Sequence, residues 1–287
     1  MMWVNTILQG VLLGGLYALF ALGLSLSFGV MRLINLAHGD LILLGSYVIL
    51  VVAGSLYLSP WLAAIVSLPL MFAVGWLLQR FVLNRTLGGD ILPPLIVTFG
   101  LSILIQNGLL ALFTADSRRL SLGGVETKSI SLRSLSIGLL PLLTFLAAIA
   151  VVLALNLLFF KTRLGRAFRA TSDDPVTLGL MGRDPRSVFA LATGVTMVVA
   201  GVAAFFLAAR ASFDPSIGPA RLIFAFEAVI IGGLGSFWGT LAGGIVLGIA
   251  QTVGGAFEPE WQVLAGHVAF ILILTFRPRG LFPRAVD

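Results

Sequence analysis

The sequence has no cysteine among its 287 residues and few charged residues of either sign. Without cysteine there is neither a disulfide framework nor a thiolate-ligated metal site. Charged residues make up 10% of the chain, whereas soluble proteins carry roughly 25%. A soluble domain of this length needs a charged exterior, so the composition argues against a water-soluble protein.

Motifs of catalysis and nucleotide binding are also missing. The only two lysines are Lys128 and Lys161, and neither follows a glycine, which excludes a Walker-type phosphate loop. The sequence contains no His-Glu-x-x-His and no Gly-x-Ser-x-Gly pattern. We therefore expect no enzymatic activity, no metal and no cofactor. The net charge of +6 is carried mainly by loops, so it reports membrane topology and not nucleic-acid binding.

Long apolar stretches dominate what is present. Residues 1–31 carry no charge, and the mean hydropathy of the chain is +1.07. A hydrocarbon core of about 30 Å takes roughly 20 helical residues to cross. The sequence therefore predicts an all-α polytopic membrane protein that forms one transmembrane domain over residues 1–287. The apolar stretches are 3–31, 41–79, 91–115, 134–160, 187–209, 228–257 and 261–276.

Within these stretches we predict eight or nine membrane crossings. Segment 222–235 is short and contains Glu227, so it is either a half-helix or a full crossing. The predicted crossings are 5–29, 41–57, 61–80, 91–113, 138–160, 187–209, 222–235, 238–256 and 261–276.

The basic residues predict an orientation. Segment 161–186 is the longest charged segment, and we assign it to the cytoplasm. The amino terminus then lies outside, the carboxyl terminus lies inside, and 12 of the 18 basic residues face the cytoplasm, as the positive-inside rule requires. Loop 114–137 is discordant, because it places four basic residues outside.

Two glycine-rich interruptions, 35–40 and 232–239, stand in roughly corresponding places. Paired interruptions are typical of broken helices that line a polar path in two halves related by an inverted repeat; helix packing is the alternative explanation of the glycines. Two of the acidic residues have an alternative explanation to a role in the path. Asp40 is alternatively the cap of a helix that begins at Leu41, and Glu227 is alternatively a neutral packing group. We expect His267 to be structural. The predicted pathway residues are Asn35, His38, Gly39, Asp40, Glu227, Gly232, Gly233 and Gly235.

Segment 161–186 contains the signals of a short helix outside the membrane. Asp174 is a suitable N-cap, Pro175 suits the first helical position, and Gly182 suits the C-cap. Between them lies a largely apolar stretch that includes Leu178, Leu180 and Met181. It is either an amphipathic connector on the lipid surface or a docking helix for a cytosolic partner.

These motifs together resemble the permeases of branched-chain amino-acid ABC importers. The resemblance includes Gly-Leu-Tyr-Ala-Leu at 15–19, Ile-Asn-Leu-Ala-His-Gly-Asp at 34–40 and Gly-Arg-Ala-Phe-Arg-Ala at 165–170. It continues through Phe-Glu-Ala-Val-Ile-Ile-Gly-Gly-Leu-Gly-Ser at 226–236 and ends with Arg-Pro-Arg-Gly-Leu-Phe at 277–282. The similar segments cover nearly the whole chain in the same order.

The resemblance implies a permease subunit of the inner membrane that carries branched-chain or other hydrophobic amino acids, while separate subunits hydrolyse ATP. The implied partners are a second permease subunit (a copy or a paralogue), cytoplasmic ATP-binding subunits and a periplasmic substrate-binding protein. Urea, amides or aromatic acids are alternative solutes, and an ion-coupled secondary transporter is an alternative mechanism. The residues implied in coupling to the ATPase are Gly165, Arg166, Arg169, Asp174, Pro175, Leu178, Gly179 and Gly182.

Overall fold

The computed structural model describes residues 2–87, 92–132, 135–180 and 182–282, and this part of the chain is almost entirely helical. Met181 lies outside the described residues. The only strands in the described part form a two-stranded antiparallel hairpin, β1 (Ser129–Leu132) and β2 (Leu135–Gly138). The helices are α1 (Met2–Met31), α2 (His38–Ser55), α3 (Pro60–Phe81), α4 (Leu92–Phe113), α5 (Leu139–Lys161), α6 (Arg163–Asp173), α7 (Pro175–Leu180), α8 (Pro185–Arg210), α9 (Gly218–Gly232), α10 (Phe237–Phe257) and α11 (Trp261–Phe276).

Helix lengths confirm the polytopic fold. In the described part of the chain, seven helices (α1 to α5, α8 and α10) are long and apolar enough to cross a membrane. The shorter apolar helices α9 and α11 have 15 and 16 residues, which is about 22–24 Å of helix and less than the hydrocarbon thickness. The helix that corresponds to the predicted segment 222–235 is α9. It covers Gly218–Gly232 instead of 222–235, because its ends are set by a proline in the first turn and by the glycines that follow it.

Helices α1 and α10 form the most extensive helix–helix contact among the described residues, and glycines make it possible. A Cβ atom on Gly248 would lie 2.3 Å from the carbonyl oxygen of Gly10, and one on Gly14 would lie 2.5 Å from the Cα atom of Ile245. Lipid tails are as apolar as leucine, so helices in a bilayer associate through such close backbone packing. Helices α1 and α8 are largely buried, whereas α3, α4 and α5 expose apolar side chains.

The two ends of the bundle contain different connections. At one end the α4–α5 connection meets the α8–α9 connection, where Arg118 and Phe213 exchange two backbone hydrogen bonds of 2.8 and 2.9 Å. At the other end lie α6 and α7, and the amide of Leu281 donates to the carbonyl of Ile231 (2.8 Å). We call these the hairpin end and the α6–α7 end.

Helix α6 was not predicted from the sequence. Thr162 caps it by accepting a hydrogen bond from the Gly165 amide (3.0 Å). Its buried residues, Gly165, Phe168 and Thr171, recur every three residues, the spacing of one helical face. The charged residues between them obscured this face when the segment was interpreted as a single charged loop.

Candidate functional sites

The connection between α1 and α2 turns back into the bundle. The Nε2 atom of His38 lies 2.9 Å from the carbonyl oxygen of Phe20, eleven residues before the end of α1 and therefore about 16 Å along the helix from that end. The imidazole packs against Gly23, where a Cβ would lie 2.8 Å from the ring. Asn35 accepts a hydrogen bond from the Ala37 amide (3.0 Å) and supports the turn. Helix α2 consequently begins inside the apolar part of the bundle.

Asp40 links α2 to α4 and does not cap a helix. The prediction of a helix that begins at Leu41 under an Asp40 cap is wrong: α2 begins at His38, and Ala37 occupies the N-cap position. Asp40 Oδ2 accepts a hydrogen bond of 2.5 Å from the Ser102 hydroxyl, whose oxygen accepts one from Gln106 (3.0 Å). Asp40 Oδ1 is buried and has no hydrogen-bond partner among the described residues.

The first turns of α2 and α9 meet. A Cβ on Gly39 would lie 2.0 Å from the carbonyl oxygen of Gly218, and a Cβ on Gly218 would lie 2.0 Å from Asp40 Oδ1. The structure places interruption 35–40 against the start of α9, and its predicted correspondence to 232–239 in an inverted repeat does not depend on this contact. Gly232 is at the other end of that helix, about 21 Å away along the axis. The two helices that meet here each follow a long spanning helix: α2 follows α1, and α9 follows α8.

The glycines after α9 shape a turn. Gly233 and Gly235 have φ values of 105° and 79°, a region that glycine adopts without the steric cost of a Cβ. Gly232 packs against α10, because its Cβ would lie 2.1 Å from the carbonyl oxygen of Gly239. These three residues hold α9 and α10 together at the α6–α7 end, and their assignment to the pathway stays a prediction.

Glu227 has a partner in α11. Its side chain is 5% exposed, and its Oε1 atom hydrogen-bonds Nδ1 of His267. The imidazole of His267 also stacks on Phe224, with 6.3 Å between ring centroids. Glu227 Oε2 is buried and has no partner among the described residues. Glu227 is therefore a buried carboxyl group that pairs with the partly exposed His267 and retains a free acceptor.

Sequence reasoning missed a group of polar side chains near Tyr17. The Tyr17 hydroxyl donates a hydrogen bond of 2.5 Å to Gln251 Oε1, and its electrostatic neighbours are Arg221, Arg210 and Glu227. Arg210 and Arg221 fall just outside the predicted crossings 187–209 and 222–235, so the predicted topology assigns both to an outer loop. The sequence signal that could have identified the two arginines is their position on either side of a short connection between two apolar helices. We call the following set the polar cluster: Tyr17 (α1), Arg210 (α8), Arg221 and Glu227 (α9), Gln251 (α10) and His267 (α11).

The predicted caps of α7 are present. The Asp174 carboxylate accepts hydrogen bonds from the Val176 and Thr177 amides (2.9 and 3.1 Å) and from the Thr177 hydroxyl (2.5 Å). The hydroxyl, followed by the amides, holds the pKa of Asp174 below its ordinary value. Pro175 is the first helical residue, and Gly182 has a φ of 78°. A helix of six residues is rarely stable by itself. The hydrogen bonds of these caps therefore help to stabilise α7.

The residues predicted to couple to an ATPase divide into two groups. Gly165 packs on the carbonyls of Leu158 and Phe159, Leu178 is buried, and the Arg169 guanidinium donates to the Phe159 carbonyl. These three hold the segment on the bundle. Arg166 and Gly179 are exposed, and no atom of the described residues lies within 4 Å of a Cβ on Gly179. Beside them on α7, Val176 is 73% exposed and Leu180 is 85% exposed.

Apolar spanning helices that enclose buried charged and amide groups define a multi-pass membrane protein with a polar interior. Comparison with known proteins identifies its family. The family model described as "Branched-chain amino acid transport system / permease component" matches residues 6–276. The chain belongs to this family.

Individual relatives match nearly the whole of this chain. The high-affinity branched-chain amino acid transport system permease protein BraD of Pseudomonas aeruginosa is 30% identical over 98% of this chain and 96% of its own. The corresponding protein LivH of Salmonella typhimurium is 30% identical with the same coverage, and LivM of Escherichia coli is 27% identical over 93% of this chain and 68% of its own. A solved structure, PsaBC from Streptococcus pneumoniae in complex with Fab, is 16% identical, with a TM-score of 0.48 over 96% of this chain and 93% of that one.

Proposed function

We propose that this chain is the permease subunit of an ATP-driven importer and that it carries branched-chain amino acids across the inner membrane. The solute is inferred from the names of the relatives BraD, LivH and LivM. ATP hydrolysis belongs to separate subunits that dock at α6 and α7. The observation that carries the proposal is the capped helix α7, which presents the exposed side chains of Val176 and Leu180 outside the spanning helices.

Contacts around α7 supply a route for movement into the bundle. Asp184 caps α8 by accepting hydrogen bonds from the Arg186 amide (3.0 Å) and the Ser187 hydroxyl (2.7 Å). Asn84 donates to the carbonyl of Arg186 (3.0 Å) and accepts from Gln79 (3.0 Å). The start of α8 is thus tied to the end of α3, so a displacement of α7 is passed to both spanning helices.

The partners follow from the same proposal. The chain matches both LivH and LivM, which supports a pair of permease subunits, either two copies or two paralogues. A substrate-binding protein delivers the solute at the hairpin end, and the ATP-binding subunits act at the α6–α7 end. This arrangement places the amino terminus outside and the carboxyl terminus in the cytoplasm.

A charge on the exposed face of α7 tests the proposed docking. In the importer assembled with its partners in proteoliposomes, we expect Leu180→Glu to abolish ATP-dependent leucine uptake. A carboxylate would be desolvated in an apolar contact, whereas the exposed side chain of Leu180 contributes little to the fold. Uptake of labelled leucine is the measurement. Tyr57→Glu is the matched control, because Tyr57 is 95% exposed and lies between α2 and α3.

The outcomes separate docking from folding. The proposal predicts that Leu180→Glu inserts and melts like the wild type but no longer co-purifies with the ATP-binding subunits. Wild-type uptake and co-purification of Leu180→Glu would refute the assignment of α7 as the docking helix.

A further inference from the structure

Two arginines at the α8–α9 connection have unused hydrogen-bond donors. Arg210 is the last residue of α8, and Arg221 lies in the first turn of α9. Arg210 Nη1 and Arg221 Nε are buried and have no hydrogen-bond partner among the described residues. Guanidinium groups in apolar surroundings are normally paired, because desolvating an unpaired charge is costly. These two groups therefore need an explanation beyond packing.

The acidic residues nearby form no salt bridge with either arginine in the described part of the chain. Asp214 Oδ1 accepts hydrogen bonds from the Ser216 amide (2.9 Å) and hydroxyl (2.5 Å), and Asp214 acts on Arg221 only as an electrostatic neighbour. Glu227 is hydrogen-bonded to His267. No salt bridge in the described part of the chain includes Arg210 or Arg221.

Two further polar side chains, Tyr17 and Gln251, lie near the arginines. The hydroxyl of Tyr17 has both arginines as electrostatic neighbours. Its hydrogen-bond partner Gln251 has a buried Nε2 without a partner among the described residues. Polar side chains of α8, α9 and α10 therefore lie near one hydroxyl of α1. A pair of guanidinium groups is suited to carboxylate and phosphate, which accept paired hydrogen bonds from the planar fork.

We propose that Arg210 and Arg221, with Tyr17 and Gln251 beside them, bind the carboxylate of the transported solute. This inference rests on the proposed function and narrows it: urea and amides carry no negative charge, so the arginine pair favours amino acids and other carboxylic acids. Glu227 lies six residues after Arg221 on α9, and its free Oε2 supplies an acceptor for an ammonium group. The phosphate of a lipid headgroup has the same hydrogen-bonding chemistry, so the experiment must separate the two sources.

Uptake by the assembled importer is the first arm of the test. We expect Arg210→Gln and Arg221→Gln each to lower leucine uptake at least about tenfold, the loss that accompanies removal of one partner from a buried charged contact. Arg221→Lys retains the charge but not the fork, so it should give an intermediate rate. Lys128→Gln is the matched control, since it removes an exposed positive charge at the hairpin end and should leave uptake unchanged.

Ligand binding without transport is the second arm. The permease–ATPase complex in phosphatidylcholine nanodiscs is melted with tryptophan fluorescence as the signal. Isovalerate should raise the melting temperature of the wild type but not of the Arg210→Gln/Arg221→Gln double variant, and the neutral isovaleramide should raise neither. Melting also shows whether each variant is folded; should the double variant not fold, Arg221→Lys provides the comparison.

Each outcome has one meaning. Arginine variants that take up leucine at the control rate overturn the subsite. A wild type that is stabilised by phosphatidylglycerol nanodiscs but not by isovalerate assigns the arginines to lipid and also overturns it. A wild type that binds isovalerate but never accumulates leucine overturns the proposed function and leaves the carboxylate subsite supported. A response to neither ligand nor lipid refutes the subsite.

Discussion

At the scale of single residues, glycine determines how closely the helices approach. Gly248 of α10 faces the backbone of Gly10 and Gly14 in α1, with 2.3 Å between its ideal Cβ position and the Gly10 carbonyl oxygen. A methyl group cannot occupy that position unless the helices separate. Since helix contacts in lipid depend on packing and not on exclusion of water, the separation removes stabilising contacts along both helices.

We therefore expect Gly248→Ala to destabilise the protein by about 1–3 kcal/mol, the usual cost of overpacking. Thermal unfolding of the purified protein in detergent, followed by fluorescence, measures the change. Gly108→Ala is the control, because nothing lies within 4 Å of a Cβ on Gly108 in α4. Equal melting temperatures for the two variants would show that α1 and α10 do not pack as described.

The residues of the polar cluster show what a sequence can and cannot predict. Glu227 interrupts an apolar run, and a charged side chain within a membrane is energetically costly. The sequence alone therefore identified Glu227 as a candidate functional residue. Tyr17 and Gln251 are 234 positions apart and each looks like an ordinary residue of an apolar helix. Arg210 and Arg221 looked like loop charges. Only the packing of five helices brings these side chains together, and periodicity along one segment does not contain that information.

At the scale of elements, the apolar segments were predictable because a bilayer fixes the length of a crossing. The nine predicted segments correspond to nine helices in the described part of the chain. The depth at which a helix begins was not predictable from the sequence. Helix α2 begins well inside the bundle, since His38 contacts Phe20, and this position is set by tertiary contacts. Helix α6 was missed because its buried face is short, whereas α7 was found from its caps, which are local signals.

The placement of α7 and the β-hairpin on opposite sides of the membrane is tested by labelling. The sequence lacks cysteine, so a single introduced cysteine is the only target. We expect Lys128→Cys to react with a membrane-impermeant maleimide in intact cells, and Gly179→Cys to react only after permeabilisation. Both positions are exposed, so accessibility within the protein is matched. The opposite pattern would reverse the proposed orientation.

At the scale of the whole molecule, the two ends of the bundle have different chemistry. The α6–α7 end presents apolar side chains on a capped helix, and the polar cluster lies towards the hairpin end, where α8 ends and α9 begins. Helix α8 joins them, since Asp184 caps its first turn and Arg210 is its last residue. In the proposed importer, the ATP-binding subunits act at the α6–α7 end, the solute contacts the polar cluster, and the helices between them transmit the movement.

Reconstitution with and without the ATP-binding subunits tests this central claim most directly. Leucine uptake is measured in proteoliposomes that contain the chain alone or the complete importer, with and without an ionophore that dissipates ion gradients. The account predicts uphill uptake only for the complete importer with ATP, unaffected by the ionophore. Uphill uptake by the chain alone, driven by an ion gradient and abolished by the ionophore, would contradict it.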